Sequence, residues 1–457
     1  MSEVLRENSN QGVAQDQGAL HEATTNPTAK NPASNTAGKV ANDVVTSDKQ
    51  DLEKSVKAEH QAKKKRGKKA SVVDVSSQYD VEELPPDTSK YLIEVNNLYK
   101  WFPIKGGVFQ QVKNYVRAVD SFSCKIKPGS TLGLVGESGC GKTTVGRTML
   151  KLYQPTRGSV YYQGQNIYDM SANQLRKIRP ELQMIFQDPY SSLQPRMPVG
   201  EIIGEAVREH NIVPKSDYRD YVIETLIRCG LQAHHVDRYP HEFSGGQRQR
   251  ICIARSLALK PKFIVCDESV SALDVSIQAQ IINLLMDLQE SEGLTYLFIS
   301  HDLSVVEHIS SEVGVMYLGN LVEMGPKEKI FDEPLHPYTK ALFSAIPMPD
   351  PDIKMTREIL QGDIPSPSNP PSGCKFHTRC PQCMEICKHT VPKMVDFSSG
   401  HRVACHLYSG ENAIGKDQVL SADQLLYGNQ DSKAPLTGAQ KVAMRRLEQK
   451  AKEQEQK

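Results

Sequence analysis

The chain has 457 residues, 39% of them hydrophobic, which is enough for two or three domains and at least one substantial core. A formal net charge of +1 excludes a strong overall attraction to nucleic acid. The first residues lack the apolar segment of a secretory signal, and no run of about 18 apolar residues follows, so we expect a cytosolic chain that does not span a bilayer.

Residues 1–88 form a polar segment rich in Ser, Asn, Thr, Gln, Lys and Glu. It has few large apolar side chains to offset the entropy lost on ordering, so we expect a disordered basic and polar arm. The run KKKRGKK at 63–69 lies within it. Its like charges extend the chain and could also contact anionic lipid or RNA.

The pattern of a globular α/β domain occupies residues 89–345. β-favouring segments broken by Pro-Gly predict two or three strands, followed by a buried strand that ends at Val135. After Lys142, segments with helical spacing alternate with the short apolar runs LQMIF, FIVCD and TYLFIS. This alternation predicts a parallel sheet covered by helices.

The segment GESGCGKTT at 136–144 fits the pattern G-x-x-x-x-G-K-S/T between an apolar strand and a helix, the context that a phosphate-binding loop needs. Its backbone amides would surround phosphates at a helix N-terminus. Lys142 is expected to neutralise the β- and γ-phosphates, and the Thr143 hydroxyl to coordinate Mg²⁺. The predicted nucleotide contacts here are Gly136, Ser138, Gly139, Cys140, Gly141, Lys142, Thr143 and Thr144.

A buried strand ending in two carboxylates, FIVCDE, follows at 263–268. In a parallel sheet this strand end would lie beside the phosphate loop. We expect Asp267 to bind Mg²⁺ and Glu268 to polarise the attacking water as a general base.

Between these two motifs, Ser244, Gly245 and Gly246 begin a strongly helical segment. A turn of small residues with unpaired N–H groups at a helix start is a second anion site. A chain with one phosphate loop and a second phosphate-binding helix start predicts that nucleotide is shared between two such chains.

Together these motifs resemble the ATP-binding-cassette family. The resemblance implies a P-loop NTPase with a RecA-like parallel-sheet core, an antiparallel β subdomain and a helical signature subdomain. It implies that the signature SGGQ, which ends at Gln247, contacts the γ-phosphate held by the opposite subunit. It further implies that Gln187 is a catalytic residue and Mg²⁺ ligand that couples nucleotide to the transmembrane partner, that Asp274 lies in the D-loop and that His301 is the catalytic switch histidine. Phe102 matches the aromatic residue that stacks on adenine.

One cassette without a membrane span or long heptad segment argues against a fused exporter, a twin-cassette translation factor and a chromosome-organising coiled coil. The segment PLHPYTKALFSAIP at 334–347, followed by GCKFHTRCP and VACHL, closely resembles the C-terminal extension of oligopeptide and dipeptide importer ATPases. This resemblance spans about residues 91–407. It implies peptide import, powered by ATP and Mg²⁺.

The same resemblance implies a set of partners. These are two transmembrane permease subunits, a second, non-identical ATPase subunit and, indirectly, an external peptide-binding protein, with no specific nucleic acid. The chain would lie peripherally on the cytoplasmic face of the inner membrane. Three alternatives stay open from the sequence: a homodimer of cassettes, a cassette of nucleic-acid metabolism whose basic arm binds RNA, and a regulatory cassette that binds ATP without turnover.

Five of the ten cysteines lie between Cys374 and Cys405, in a Pro-punctuated segment with little apolar core of its own. We assign 346–410 to the C-terminal extension and 411–457 to an exposed tail. In the cytosol a metal is the expected staple for such a segment, since thiols stay reduced there. The sequence also leaves a segment without metal open.

Four of these cysteines, Cys374, Cys380, Cys387 and Cys405, match a family pattern that is associated with a 4Fe-4S cluster. Four thiolates also suit tetrahedral zinc, and spacing alone does not separate the two. Cys383 is an extra thiol that offers an alternative ligand.

The remaining five cysteines lie in two different sequence contexts. Cys124, Cys229, Cys252 and Cys266 lie in apolar contexts typical of a core. Cys140 lies in the phosphate loop, where oxidation or alkylation would block nucleotide.

Overall fold

The computed structural model describes residues 90–107, 110–344, 360–398 and 400–409. The predicted arm at 1–88 and tail at 411–457 lie outside these residues. The strands are β1 Ile93–Gly106, β2 Gln111–Ile126, β3 Thr131–Val135, β4 Arg157–Tyr162, β5 Gln165–Asn166, β6 Leu182–Ile185, β7 Phe263–Asp267, β8 Thr295–Ile299, β9 Glu312–Tyr317, β10 Asn320–Pro326, β11 Val395–Ser398 and β12 His401–Val403. The helices are α1 Lys142–Met149, α2 Ala172–Ile178, α3 Pro189–Ser192, α4 Val199–Glu209, α5 Tyr218–Arg228, α6 Gly245–Leu257, α7 Val275–Glu292, α8 Leu303–Ile309, α9 Lys327–Asp332, α10 Pro337–Ser344 and α11 Glu385–His389.

The central sheet has the strand order β11-β12-β10-β9-β3-β8-β7-β6. The five strands from β9 to β6 are parallel, and β10, β12 and β11 extend the sheet in antiparallel pairing. Every residue of β3, β7 and β8 is buried, which explains their continuous apolar runs. The predicted α/β architecture is confirmed, including the buried strand that ends at Val135.

A separate antiparallel sheet of order β2-β1-β4-β5 covers one side of the core. Its apolar residues join those of β3 and α1 in a single hydrophobic cluster, which includes Phe122, Leu134 and Val145. This sheet corresponds to the antiparallel β subdomain that was predicted.

The helical subdomain is built by α4, α5 and α6. Their inner faces contribute Ile203, Leu226 and Ile251 to the larger hydrophobic cluster of the molecule. At the start of α6 the Ser244 hydroxyl accepts a hydrogen bond from the Gln247 amide, while the Gln247 side chain accepts one from the Ser244 amide. This capping box fixes where the helix begins.

The C-terminal cysteines belong to a small unit that we call the cysteine lobe, residues 372–398 and 400–409. Its strand β12 pairs with β10, so the lobe extends the central sheet. Phe376 is buried among Tyr317, Tyr338 and His336 of the cassette. The lobe therefore uses the cassette core to bury its largest apolar side chain, in addition to its own small cluster around Phe397 and Val403.

The four cysteines interpreted as core residues, Cys124, Cys229, Cys252 and Cys266, are buried as predicted. Among the described residues there is no helix long and apolar enough to cross a membrane.

The segment between α9 and α10 contains a buried histidine that should make stability depend on pH. His336 is 1% exposed. Its Nδ1 accepts a hydrogen bond from the Tyr338 amide at 3.0 Å, and its own amide donates to buried Glu323 at 2.9 Å. Burial lowers the pKa of His336 to about 4.

The unfolded chain should take up this proton near pH 6.5, whereas the folded chain takes it up only near pH 4. The contribution of His336 to the free energy of unfolding is therefore fully present above pH 6.5. It falls as the pH drops from 6.5 towards 4, by up to about 1.4 kcal/mol per pH unit. His336→Asn keeps an acceptor for the Tyr338 amide but does not titrate, so urea unfolding at several pH values should give a smaller slope. An identical slope in both proteins would contradict the assignment.

Candidate nucleotide-binding site

The phosphate loop, residues 136–144, connects the carboxyl end of β3 to the start of α1. Gly136 has φ 147° and Gly141 has φ 110°, in the region that favours glycine. A Cβ atom would lie 2.2 Å from the Met316 carbonyl oxygen at the first position and 2.1 Å from the Ala118 carbonyl oxygen at the second. Both close approaches therefore require glycine, and they fix the curvature of the loop.

Lys142, the first residue of α1, is only 4% exposed. Its Nζ donates hydrogen bonds to the carbonyl oxygens of Gly136 at 2.8 Å and Glu137 at 3.2 Å. The ammonium group is thus held inside the loop by loop carbonyls. This is the position from which it can neutralise a bound phosphate.

The candidate Mg²⁺ ligands Thr143 and Asp267 are in direct contact, because β3 and β7 both end at this edge of the sheet. The Thr143 hydroxyl donates to Asp267 Oδ1 at 2.6 Å, and Arg147 Nη2 lies 3.7 Å from Oδ2. Burial raises the pKa of Asp267, and the Thr143 hydrogen bond and the Arg147 charge oppose that rise. A buried carboxylate beside a hydroxyl has the oxygen chemistry that a hard divalent cation prefers.

Three predicted catalytic side chains meet at one oxygen atom. Gln187 Nε2 donates to Glu268 Oε2 at 2.8 Å, and His301 Nδ1 lies 3.7 Å from the same oxygen. Glu268 has φ 47°, a conformation that costs a residue other than glycine about 1–3 kcal/mol. The backbone holds it by a hydrogen bond from the Glu268 amide to the Ile299 carbonyl at 2.9 Å.

The other predicted loop residues differ in their exposure to solvent. Ser138 and Gly139 are exposed, and Thr144 is half-buried in the first turn of α1. Cys140 differs, because it is 5% exposed and burial raises the pKa of its thiol. Oxidation or alkylation of Cys140 is therefore disfavoured in this conformation.

The signature residues Ser244, Gly245, Gly246 and Gln247 occupy the first turn of α6, as predicted, with Ser244 exposed. The D-loop residue Asp274 immediately precedes α7. Leu273, its neighbour, lies against Gly245, so the D-loop and the signature turn pack together.

Phe102 lies on β1 and contacts Tyr153 edge to face, with ring centroids 5.5 Å apart. Lys100 Nζ is 4.8 Å from the centre of the Phe102 ring. Arg147 donates to the Tyr153 hydroxyl at 3.2 Å, which links this aromatic pair to Asp267. The sequence analysis missed Arg147, although its position one turn after Thr143 on the same helix could have indicated it.

The four cysteines of the predicted metal site lie close enough for their charges to interact. Burial, with a smaller contribution from neighbouring thiols, raises the pKa of Cys374 to about 11 and that of Cys405 to about 12. All ten cysteines are free thiols. Within residues 90–107, 110–344, 360–398 and 400–409, no group of three or more Cys, His, Asp or Glu side chains is arranged to hold a metal ion.

Comparison with known proteins gives two family matches. A model described as "ABC transporter" matches residues 119–271, and one described as "Oligopeptide/dipeptide transporter, C-terminal region" matches residues 322–387. The second match includes three of the four cysteines, and the first ends just after Glu268.

Relatives agree with these matches. The oligopeptide transport ATP-binding protein AppF of Bacillus subtilis is 53% identical over 321 residues, which cover 70% of this chain and 98% of that protein. OppF of Salmonella typhimurium, also an oligopeptide transport ATP-binding protein, is 50% identical over 321 residues, covering 69% and 96%. Among solved structures, cbiO1 from Clostridium perfringens, part of the ABC transporter complex cbiONQ, is 26% identical with a TM-score of 0.46, covering 53% of this chain and 92% of that one. By its sequence identity to AppF and OppF over nearly their whole lengths, the chain belongs to the oligopeptide transport ATP-binding proteins of the ABC transporter family.

Proposed function

We infer that this chain binds ATP with Mg²⁺ and hydrolyses it to power the import of oligopeptides through an ABC transporter complex. The observation that carries the enzymatic part is the convergence of Lys142, Thr143, Asp267 and Glu268 at one edge of the central sheet. The cargo is supported by the C-terminal family match and by the relatives that transport oligopeptides.

The phosphate site follows from the loop geometry. Lys142 would exchange its hydrogen bonds to loop carbonyls for the β- and γ-phosphate oxygens. Thr143 and Asp267 would hold Mg²⁺, with Gln187 as a further ligand through its amide oxygen. The bound ion neutralises charge on the phosphates, as it does in other phosphoryl-transfer sites.

Glu268 would orient and polarise the attacking water as a general base. Gln187 donates a hydrogen bond to Glu268 Oε2. Through this contact Gln187 would couple changes at the catalytic carboxylate to the transmembrane partner. His301, exposed and close to the same oxygen, would contact the γ-phosphate once nucleotide is bound.

A complete site would need a second cassette. Ser244 is exposed at the start of α6, and Leu273, which precedes Asp274, lies against Gly245 in the same turn. We propose that this surface closes on the ATP of a second, non-identical ATPase subunit. The assembly would include two permease subunits on the cytoplasmic face of the inner membrane and receive peptide from an external binding protein.

Glu268→Gln tests the base. It keeps the side-chain shape but cannot accept a proton, so peptide-stimulated phosphate release by the reconstituted transporter should fall at least about 100-fold while ATP stays bound. Glu290→Gln, which removes an exposed carboxylate from α7, is the matched control. Undiminished turnover in Glu268→Gln would refute its role, and turnover indifferent to peptide in the unaltered complex would refute the cargo.

Thr143→Val tests the Mg²⁺ site. It removes the hydroxyl that contacts Asp267 and should weaken binding of ATP in the presence of Mg²⁺ by about 10-fold to 100-fold, the loss expected for one hydrogen bond to a charged group. Thr143→Ser keeps the hydroxyl and should bind normally. If the valine and serine variants respond identically to Mg²⁺ in a nucleotide-binding titration, Thr143 is not a ligand.

We also propose that Cys374, Cys380, Cys387 and Cys405 bind a 4Fe-4S cluster. Two of these residues are adjacent in the fold, because the Cys374 amide donates to the Cys387 carbonyl at 2.8 Å. A zinc ion would require thiolates about 2.3 Å from one centre, whereas a cluster of four irons is a larger body whose thiolates lie farther apart. The preference for a cluster over zinc rests on the resemblance of these four cysteines to the family pattern.

Metal analysis of the chain purified without oxygen tests this proposal. We expect iron and acid-labile sulfide in equal amounts, and loss of both in Cys387→Ser, because that thiol is buried within the group. The exposed Cys383 should be dispensable, so Cys383→Ser should retain both. Zinc in place of iron, or a chain without metal, would overturn the assignment.

A further inference from the structure

The cysteine lobe contacts the phosphate loop directly through one ion pair. Arg379 Nη1 donates to Glu137 Oε2 at 2.9 Å, and Nη2 donates to Oε1 at 3.1 Å. This is the paired geometry in which a guanidinium group binds a carboxylate most specifically. The Arg379 side chain is 8% exposed and that of Glu137 is 23% exposed, so the pair is largely shielded from solvent.

Both partners are held in place by groups outside the loop. The Glu137 amide donates to the Tyr338 hydroxyl at 2.9 Å, which fixes the backbone from α10. The Arg379 guanidinium lies 5.9 Å from the centre of the Tyr317 ring. Tyr317 and Tyr338 in turn pack on Phe376 of the lobe. The second residue of the phosphate loop is therefore fixed through its side chain and its backbone.

The charge of Glu137 needs compensation in this position. The carbonyl oxygen of Glu137 accepts a hydrogen bond from Lys142 Nζ at 3.2 Å. The Glu137 carboxylate therefore lies in the same short loop, close to the lysine that would bind the triphosphate. An uncompensated carboxylate here would repel the nucleotide and compete for Lys142. Arg379 supplies the opposite charge from a residue 242 positions away along the chain.

We propose that Arg379 is a positioning residue of the nucleotide site, which neutralises Glu137 and holds the phosphate loop in the form that accepts ATP. The proposal rests on ATP binding as the function of this loop. It does not depend on the metal content of the lobe. Arg379 contacts the phosphate loop through the Glu137 carboxylate, and it would act through that side chain.

The test compares Arg379→Gln with the double variant Glu137→Gln/Arg379→Gln in the full-length chain. The single variant leaves the Glu137 charge unpaired and should raise the Kd for a fluorescent ATP analogue, and the KM for ATP, about tenfold or more, with kcat changed less than threefold. The double variant has no charge left to compensate, so its Kd should return to within about threefold of the unaltered chain.

Two further variants separate this role from simple anchoring of the lobe. Arg379→Lys keeps the charge but not the paired geometry and should fall between the unaltered chain and Arg379→Gln. Lys393→Gln removes an exposed cation from the same lobe and should bind ATP normally. Thermal unfolding of each protein shows whether it is folded.

Two results would overturn the proposal. One is an ATP affinity in folded Arg379→Gln within twofold of the unaltered chain. The other is a double variant that binds no better than Arg379→Gln, which would mean that Arg379 does not act by neutralising Glu137. Either result would leave the loss of turnover in Glu268→Gln intact, so failure here is distinguishable from failure of the proposed ATPase function.

Discussion

The candidate site depends on the parallel pairing of β3, β7 and β8. Parallel strands bring their carboxyl ends to one edge, and here that edge receives the phosphate loop, the Asp267–Glu268 pair and His301 from three distant parts of the chain. The register places Asp267 opposite Ile299. The Asp267–Glu268 pair and the loop that carries His301 therefore begin at the same level of the sheet. A shift of one residue in either strand would separate Thr143 from Asp267.

The charged side chains of the site also contact one another or the loop backbone. Lys142 is bound by loop carbonyls, Asp267 by Thr143 and Arg147, and Glu268 by Gln187. Each of these contacts covers a buried or half-buried polar group that would otherwise cost free energy.

The sequence predicts those parts of the site that are formed by residues close together in the chain. The spacing of Gly136, Gly141 and Lys142 predicts a phosphate loop wherever a strand precedes it and a helix follows, and the SGGQ segment predicts a helix start. The pairing of Arg379 with Glu137 could not be predicted, because a single arginine and a single glutamate 242 residues apart carry no pattern. The Lys100–Phe102 contact and the addition of β12 to the central sheet likewise depend on tertiary packing. The proposed 4Fe-4S ligands rest on family resemblance rather than on the physics of their spacing.

The position of the cysteine lobe at the border of the central sheet has a consequence for solubility. Strand β10 would otherwise present unpaired N–H and C=O groups along one side, and such an open border recruits strands from other molecules. In this chain β12 and β11 occupy that side, with His401 bonded to the buried Glu323 at 2.8 Å. A cassette shortened to end at α10 would keep the predicted nucleotide-contacting residues yet uncover part of β10, whereas the lobe leaves the shorter strand β11 at that border.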